Sequence, residues 1–70
     1  MSRYLIVIEN AGSNYSAYSP DLPGCVTTGT TVEETKRNME GAIELHLEGL
    51  REDGLPIPPP STVAEYVEMA

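Results

Sequence analysis

Short hydrophobic runs alternate with turn-forming residues along the first part of this chain. Residues 4–8 are a continuous run of β-favouring side chains, and residues 15–19 and 25–29 are two further runs of the same length. Glycine, asparagine and proline between them predict turns at residues 9–14 and 21–24. Strands joined by such short turns pair with their chain neighbours, so the pattern predicts an antiparallel three-stranded meander. The first run lacks polar alternation, which is typical of a strand covered on both faces.

An amphipathic helix is predicted after the third strand. Thr31 and Glu34 have the spacing of a capping box, in which each side chain satisfies a free backbone N–H at the helix start. The helical pattern continues to about Asp53, where Gly54 and then Pro56 end it. On a helical wheel one face is apolar, which predicts packing against the sheet. That face consists of Val32, Met39, Ala42, Ile43, Leu47 and Leu50.

The C-terminal part of the chain predicts a fourth strand. Residues 55–60 are a stiff, proline-rich connector, and residues 61–70 predict a brief helical turn and then a strand over 65–69. A right-handed crossover would place this strand parallel to strand one, giving the sheet order 3-2-1-4. The expected fold class is therefore α+β, in the order β-β-β-α-β. One helix covers one face of such a sheet, so the apolar other face of strand one indicates an interface.

Length and cysteine content narrow the class of protein. A chain of 70 residues is expected to form one domain, residues 1–70, whose core buries only about 60% of the unfolded chain's surface. One cysteine excludes an intrachain disulfide, and without a second nearby metal ligand it argues against a zinc site. No signal peptide or membrane-spanning run is recognisable. We therefore expect a cytoplasmic protein that gains stability from self-association or a partner.

The charge balance indicates the kind of partner. The chain has 4 basic and 11 acidic residues, for a formal net charge of -7. Affinity for nucleic acid depends on basic residues that neutralise phosphates, so direct nucleic-acid binding is disfavoured. An acidic surface attracts a basic protein and accelerates their encounter, although it can also serve solubility alone.

Few residues suggest chemistry. His46 lies at the edge of the apolar helix face, where packing explains it better than catalysis. Cys25 has no lysine or arginine nearby in sequence to lower its pKa, so a buried structural thiol is expected. Glu40, Glu44 and Glu48 form an acidic ridge on the outer helix face, either a solvated surface or a docking surface for a basic protein. We expect no catalytic residue, no cofactor and no metal.

A long motif joins the second strand to the helix and continues beyond it. It consists of Tyr18, Pro20-Asp21-Leu22-Pro23-Gly24-Cys25, Gly29-Thr30-Thr31, Glu33-Glu34 and Asn38, followed by Ala42-Ile43, Leu47, Asp53-Gly54 and Ile57-Pro58. This pattern resembles the HicB family of bacterial and archaeal antitoxins over nearly the whole chain. The resemblance implies a partial ribonuclease H-like β-β-β-α-β domain without catalytic activity. It also implies that the protein binds a small basic HicA toxin and blocks the toxin's RNA-cleaving histidine.

The resemblance further suggests which residues meet the partner and what the chain lacks. The chain resembles a short form of this family, because no helix-turn-helix or ribbon-helix-helix is recognisable before Ala70. Direct DNA binding is therefore not expected. The partner-binding residues are expected around the Leu-Pro-Gly turn and the acidic ridge: Tyr18, Asp21, Leu22, Pro23, Glu40, Glu44 and Glu48.

Two other functions remain open at this point. The chain could be an orphan structural or regulatory domain that self-assembles without a toxin. It could also be an enzyme, a metal-dependent nuclease or a cysteine hydrolase, although only fold ancestry and Cys25 suggest this. Exposed Leu45 and the uncovered sheet face favour self-association, so a homo-oligomer, dimer or tetramer, is expected with or without a toxin.

Overall fold

The computed structural model describes residues 3–70 and contains three strands followed by one helix. The strands are β1 (Val7–Asn10), β2 (Tyr15–Tyr18) and β3 (Val26–Gly29), and the helix is α1 (Val32–Glu52). The sheet order is β1-β2-β3 with both pairs antiparallel, so the predicted meander is confirmed. The predicted α+β class and the position of the helix are confirmed with it.

The strand register decides which side chains face the helix. β1 begins at Val7, three residues later than predicted, and Val7 lies opposite Tyr18 in the ladder. Ile8 lies opposite Ala17, which is buried. Since neighbouring side chains alternate between sheet faces, Ile8 and Ala17 face α1 while Val7 and Tyr18 lie on the open face. Val26 of β3 lies opposite Tyr18 and extends this open apolar row.

Both predicted ends of the helix are present. Thr31 is the N-cap, and its hydroxyl accepts a hydrogen bond from the Glu34 N–H at 3.0 Å. The Glu34 carboxylate reaches back one residue further than a capping box requires, because it accepts from the Thr30 hydroxyl at 2.7 Å. Hydrogen bonds from Thr30 lower the pKa of Glu34. Gly54 has a φ of 66°, the left-handed conformation that favours glycine just beyond a helix.

The core lies between α1 and the inner face of the sheet. Its buried side chains belong to Ala17, Leu22, Cys25 and Met39, with Tyr4, Ile6, Ile8, Ala42, Ile43 and Leu47 packed around them. Gly29 approaches the helix so closely that a Cβ atom there would lie 2.8 Å from the Thr35 backbone nitrogen. Among residues 3–70, no helix combines the length and apolar character needed to cross a membrane.

The predicted fourth strand is not formed in this structure. Residues 55–70 contain neither the expected helical turn nor the strand over 65–69, so β1 is an edge strand and the order 3-2-1-4 is not seen. The proline-rich connector is held against the body, where the Tyr4 hydroxyl donates to the Pro58 carbonyl at 2.5 Å. Proline lacks the N–H that a strand ladder requires. The prolines at residues 56 and 58–60 therefore disfavour strand pairing by the connector. The ribonuclease H-like arrangement, which needs that strand, stays a prediction.

Candidate functional site

The Leu-Pro-Gly turn is a rigid loop whose leucine points inward. The Leu22 N–H donates to the Ser19 carbonyl, and the Cys25 N–H donates to the Leu22 carbonyl, each at 3.1 Å. Pro23 and Gly24 occupy the centre of the second turn, and Gly24 has the positive φ of 83° that a type II turn requires. The Leu22 side chain is fully buried, so it presents no surface to a partner in this structure, and its predicted contact stays a prediction. It anchors the loop from below and leaves Pro23 exposed.

Asp21 is engaged within the chain. Its carboxylate accepts four hydrogen bonds, from the backbone N–H and the hydroxyl of both Ser61 and Thr62, at 2.7 to 3.1 Å. Those from the Thr62 side chain and backbone contribute most to lowering the pKa of Asp21 below its ordinary value. We call this arrangement the Asp21 clamp. It gives Asp21 an internal anchoring role, where the sequence suggested a direct contact with a partner.

A shallow apolar groove lies beside the turn, between the start of β3 and α1. Leu45 on α1 is its most exposed apolar side chain, at 72%, and Val26, whose side chain faces the open side of the sheet, borders the groove and is 65% exposed. Tyr18, also exposed, lies opposite Val26 in the ladder and connects the groove to the open face of the sheet. We call this surface the Leu45 groove. It is lined by Gly24, Cys25, Val26, Ala42, Leu45 and His46.

The acidic ridge runs beside the Leu45 groove. Glu40, Glu44 and Glu48 are all exposed on α1. Glu44 directly precedes Leu45, and Glu48 lies about one helical turn beyond it. An apolar centre with a polar rim is the usual composition of a protein-binding surface. None of the residues predicted to meet a partner lines this groove, although Pro23 precedes Gly24 and Glu44 precedes Leu45 in the chain. Sequence reasoning did not include Val26 because a β-branched residue in a strand resembles core.

The groove does not have the features of a catalytic centre. Cys25 is buried, and burial raises the pKa of its thiol, which favours the unreactive neutral form. His46 is half-buried in the groove wall, as a packing residue would be. Within the described part of the chain, no three histidine, cysteine or carboxylate side chains come together as a metal site would require.

The chain is similar to a known family and to several bacterial and phage proteins. The family described as the HicB_like antitoxin of bacterial toxin-antitoxin systems matches residues 4–70. A UPF0150 protein of Helicobacter pylori is 47% identical over 49 residues, which are 70% of this chain and 68% of that protein. An uncharacterized 14.9 kDa protein of Haemophilus phage HP1 is 36% identical over 64 residues. That match covers 91% of this chain but 48% of the phage protein, so the chain spans about half its length.

A solved structure agrees with the sequence relatives. A chain of a HicA3 and HicB3 toxin-antitoxin complex superposes with a TM-score of 0.73 at 35% identity. The match covers 84% of this chain and 70% of the other. Fold and sequence likeness therefore coincide over the same region that carries the Leu-Pro-Gly turn and the helix. The chain belongs to the HicB-like antitoxins of bacterial toxin-antitoxin systems.

Proposed function

We propose that this protein binds and neutralises a small, basic, RNA-cleaving toxin of the HicA type. The observation that carries the proposal is the Leu45 groove, an exposed apolar surface bordered by the acidic ridge. Family membership supports an antitoxin role, and the structural relative comes from a complex that contains a toxin. Toxin and antitoxin would meet in the cytoplasm, where the RNA substrate is found.

The two parts of the surface would contribute differently to binding. Burial of a leucine such as Leu45 stabilises a complex by about 1.5–3 kcal/mol, so the groove would supply affinity. The ridge and the net charge of -7 would attract a basic toxin and accelerate association. The same charge disfavours contact with nucleic acid, so we propose direct recognition of the toxin and not of its RNA.

Neutralisation by this protein would depend on occlusion and require no chemistry. A bound antitoxin excludes RNA from the toxin's active site when it covers the catalytic side chain. The buried thiol of Cys25 and the half-buried His46 are consistent with a structural role in such a binding module. We therefore propose a non-enzymatic protein.

The proposal predicts a small basic HicA-type protein encoded beside this chain's gene, and it is tested with that protein. The two purified proteins should form a complex at low ionic strength, measured by calorimetry, whose affinity falls as salt is added. Co-expression should restore growth to cells that the toxin arrests. Absence of association at low salt would contradict the proposal.

Self-assembly without a toxin is the second candidate function. It is favoured by the apolar side chains of Val63, Tyr66, Val67 and Met69, which are exposed near the end of the chain. An adjacent gene that encodes no toxin-like protein, together with a stable oligomer, would support this candidate over the first.

A further inference from the structure

The C-terminal tail, residues 63–70, forms neither helix nor strand, and its apolar side chains are exposed. Val63 and Val67 are 78% and 79% exposed, and Tyr66 is fully exposed. Residues 65–69 have the β-favouring composition that predicted a strand, yet the tail belongs to no ladder and forms no hydrogen bond to the rest of the described chain. A segment with exposed apolar side chains and no pairing partner can add as a strand to the edge of another sheet.

The same molecule has a free sheet edge. β1 pairs with β2 on one side, and no strand of the described chain pairs with its other side. Its outward N–H and C=O groups therefore offer a template for a further strand. The residues that lead into and begin this edge, 5–8, are apolar and half-buried, whereas Glu9 and Asn10 at its end are polar and exposed. Each copy of the chain thus carries both an unpaired strand-forming segment and an unpaired edge.

The overall dimensions are those of an elongated molecule. The radius of gyration is 13.5 Å, whereas a compact chain of this length has about 11 Å. The longest dimension is 47 Å, against 27 and 19 Å for the other two. Residues 63–69 span about 23 Å when extended, which is long enough to cross a neighbouring sheet. The apolar side chains of the tail are therefore accessible to a second molecule.

The Asp21 clamp determines where the tail leaves the body. It holds Ser61 and Thr62 against the Leu-Pro-Gly loop by four hydrogen bonds. Thr62 and Val63 line a surface cleft together with residues 3–6, the segment that leads into β1. The tail thus starts at the beginning of the free edge, with a fixed origin and a stiff proline-rich connector before it.

We propose that two copies of this chain exchange tails, so that residues 63–69 of each form a fourth strand on the β1 edge of the other. The strand would run parallel to β1, because a helical crossover returns in that direction and an exchange retains it. Each completed sheet would have the order β3-β2-β1-tail, the last strand from the second copy. Glu65 and Glu68 would then lie along an edge that begins at Arg3, one of only four basic residues. The exchange does not depend on a toxin.

The first test is the mass of the full chain in solution, measured by light scattering. We expect twice the 7.6 kDa of one chain. Val67→Pro removes a backbone donor from the tail and should convert the dimer to a monomer. It should leave the helical circular-dichroism signal unchanged, because Val67 is mostly exposed and lies outside α1. Leu45→Ala is the matched control at an equally exposed apolar residue and should remain dimeric.

The second test distinguishes exchange from a tail that folds onto its own sheet. A spin label is attached to Met69→Cys, which is selective because Cys25 is buried, and this chain is mixed with isotopically labelled wild-type chain. Exchange predicts broadening of the β1 amide signals in the wild-type chain. Absence of broadening in the isotopically labelled wild-type chain, a monomer at all concentrations, or a dimer that survives Val67→Pro would each overturn the proposal.

Discussion

Thr62 donates to both carboxylate oxygens of Asp21, from its hydroxyl at 2.7 Å and from its backbone N–H at 3.1 Å. The two residues are separated by 41 positions in the chain. This contact joins the loop of the most distinctive motif to the origin of the tail. A residue of the predicted recognition loop is therefore the attachment point of the C-terminal segment.

The clamp should respond to acid. The pKa of Asp21 is lowered from its ordinary value of 3.8, so its contribution to stability is present above that pH and is lost as the pH falls through the lower folded value. The amide signals of Ser61 and Thr62 should move towards random-coil positions over this range in an NMR titration. In the Asp21→Asn variant, the amide signals of Ser61 and Thr62 should lie closer to random-coil positions already at neutral pH. Unchanged signals in that variant would show that the clamp does not hold the connector.

Gly29 should not tolerate a side chain. A Cβ atom there would lie 2.8 Å from the backbone nitrogen and 2.9 Å from the Cα of Thr35, so β3 and α1 would have to separate. We expect Gly29→Ala to lower the free energy of unfolding by about 1–3 kcal/mol, measured by urea denaturation. A variant as stable as the wild type would mean that the strand and helix can shift without cost.

Gly41 is the matched control, because it should respond in the opposite direction. It lies within α1, and a Cβ atom there would meet nothing within 4 Å. Gly41→Ala should raise the free energy of unfolding by about 1 kcal/mol, since alanine loses less conformational entropy in a helix. The same denaturation experiment measures it. A destabilised variant would indicate that this helix surface is covered.

Leu45 should contribute to toxin affinity. It lines the proposed docking groove and is 72% exposed, and well-packed interface residues can contribute more than about 1 kcal/mol to binding. Leu45→Ala should weaken toxin binding about tenfold or more in calorimetry, without loss of helicity. Leu55→Ala removes the same side chain from an exposed position outside the groove and should leave affinity unchanged. Equal effects of both variants would place the docking surface elsewhere.

The acidic ridge should act mainly on the rate of association. Glu44→Gln with Glu48→Gln should lower the association rate constant several-fold and reduce its dependence on salt, as measured by stopped-flow fluorescence. Glu33→Gln with Glu52→Gln changes the net charge equally at the two ends of α1. If both pairs slow association to the same extent, net charge alone attracts the toxin and the ridge has no special position.

Local signals predicted most of the secondary structure. The Thr31 cap, the positive φ of Gly54 and the Leu-Pro-Gly turn depend on residues within five positions of one another, and all are present. Leu22 shows what local signals cannot predict. Its neighbours in the motif indicate an exposed loop, but the space beneath that loop, which decides its burial, belongs to the helix and the sheet.

The sequence by itself determined the meander, the extent of the helix, the acidic surface and the family, because each is a property of neighbouring residues or of composition. Only the tertiary structure decided that Asp21 holds residues 61–62, that Val26 and Leu45 share a groove, and that the predicted last strand is unpaired. These outcomes depend on contacts between segments far apart in the chain. A local pattern can favour a strand, but it cannot specify the edge that will pair with it.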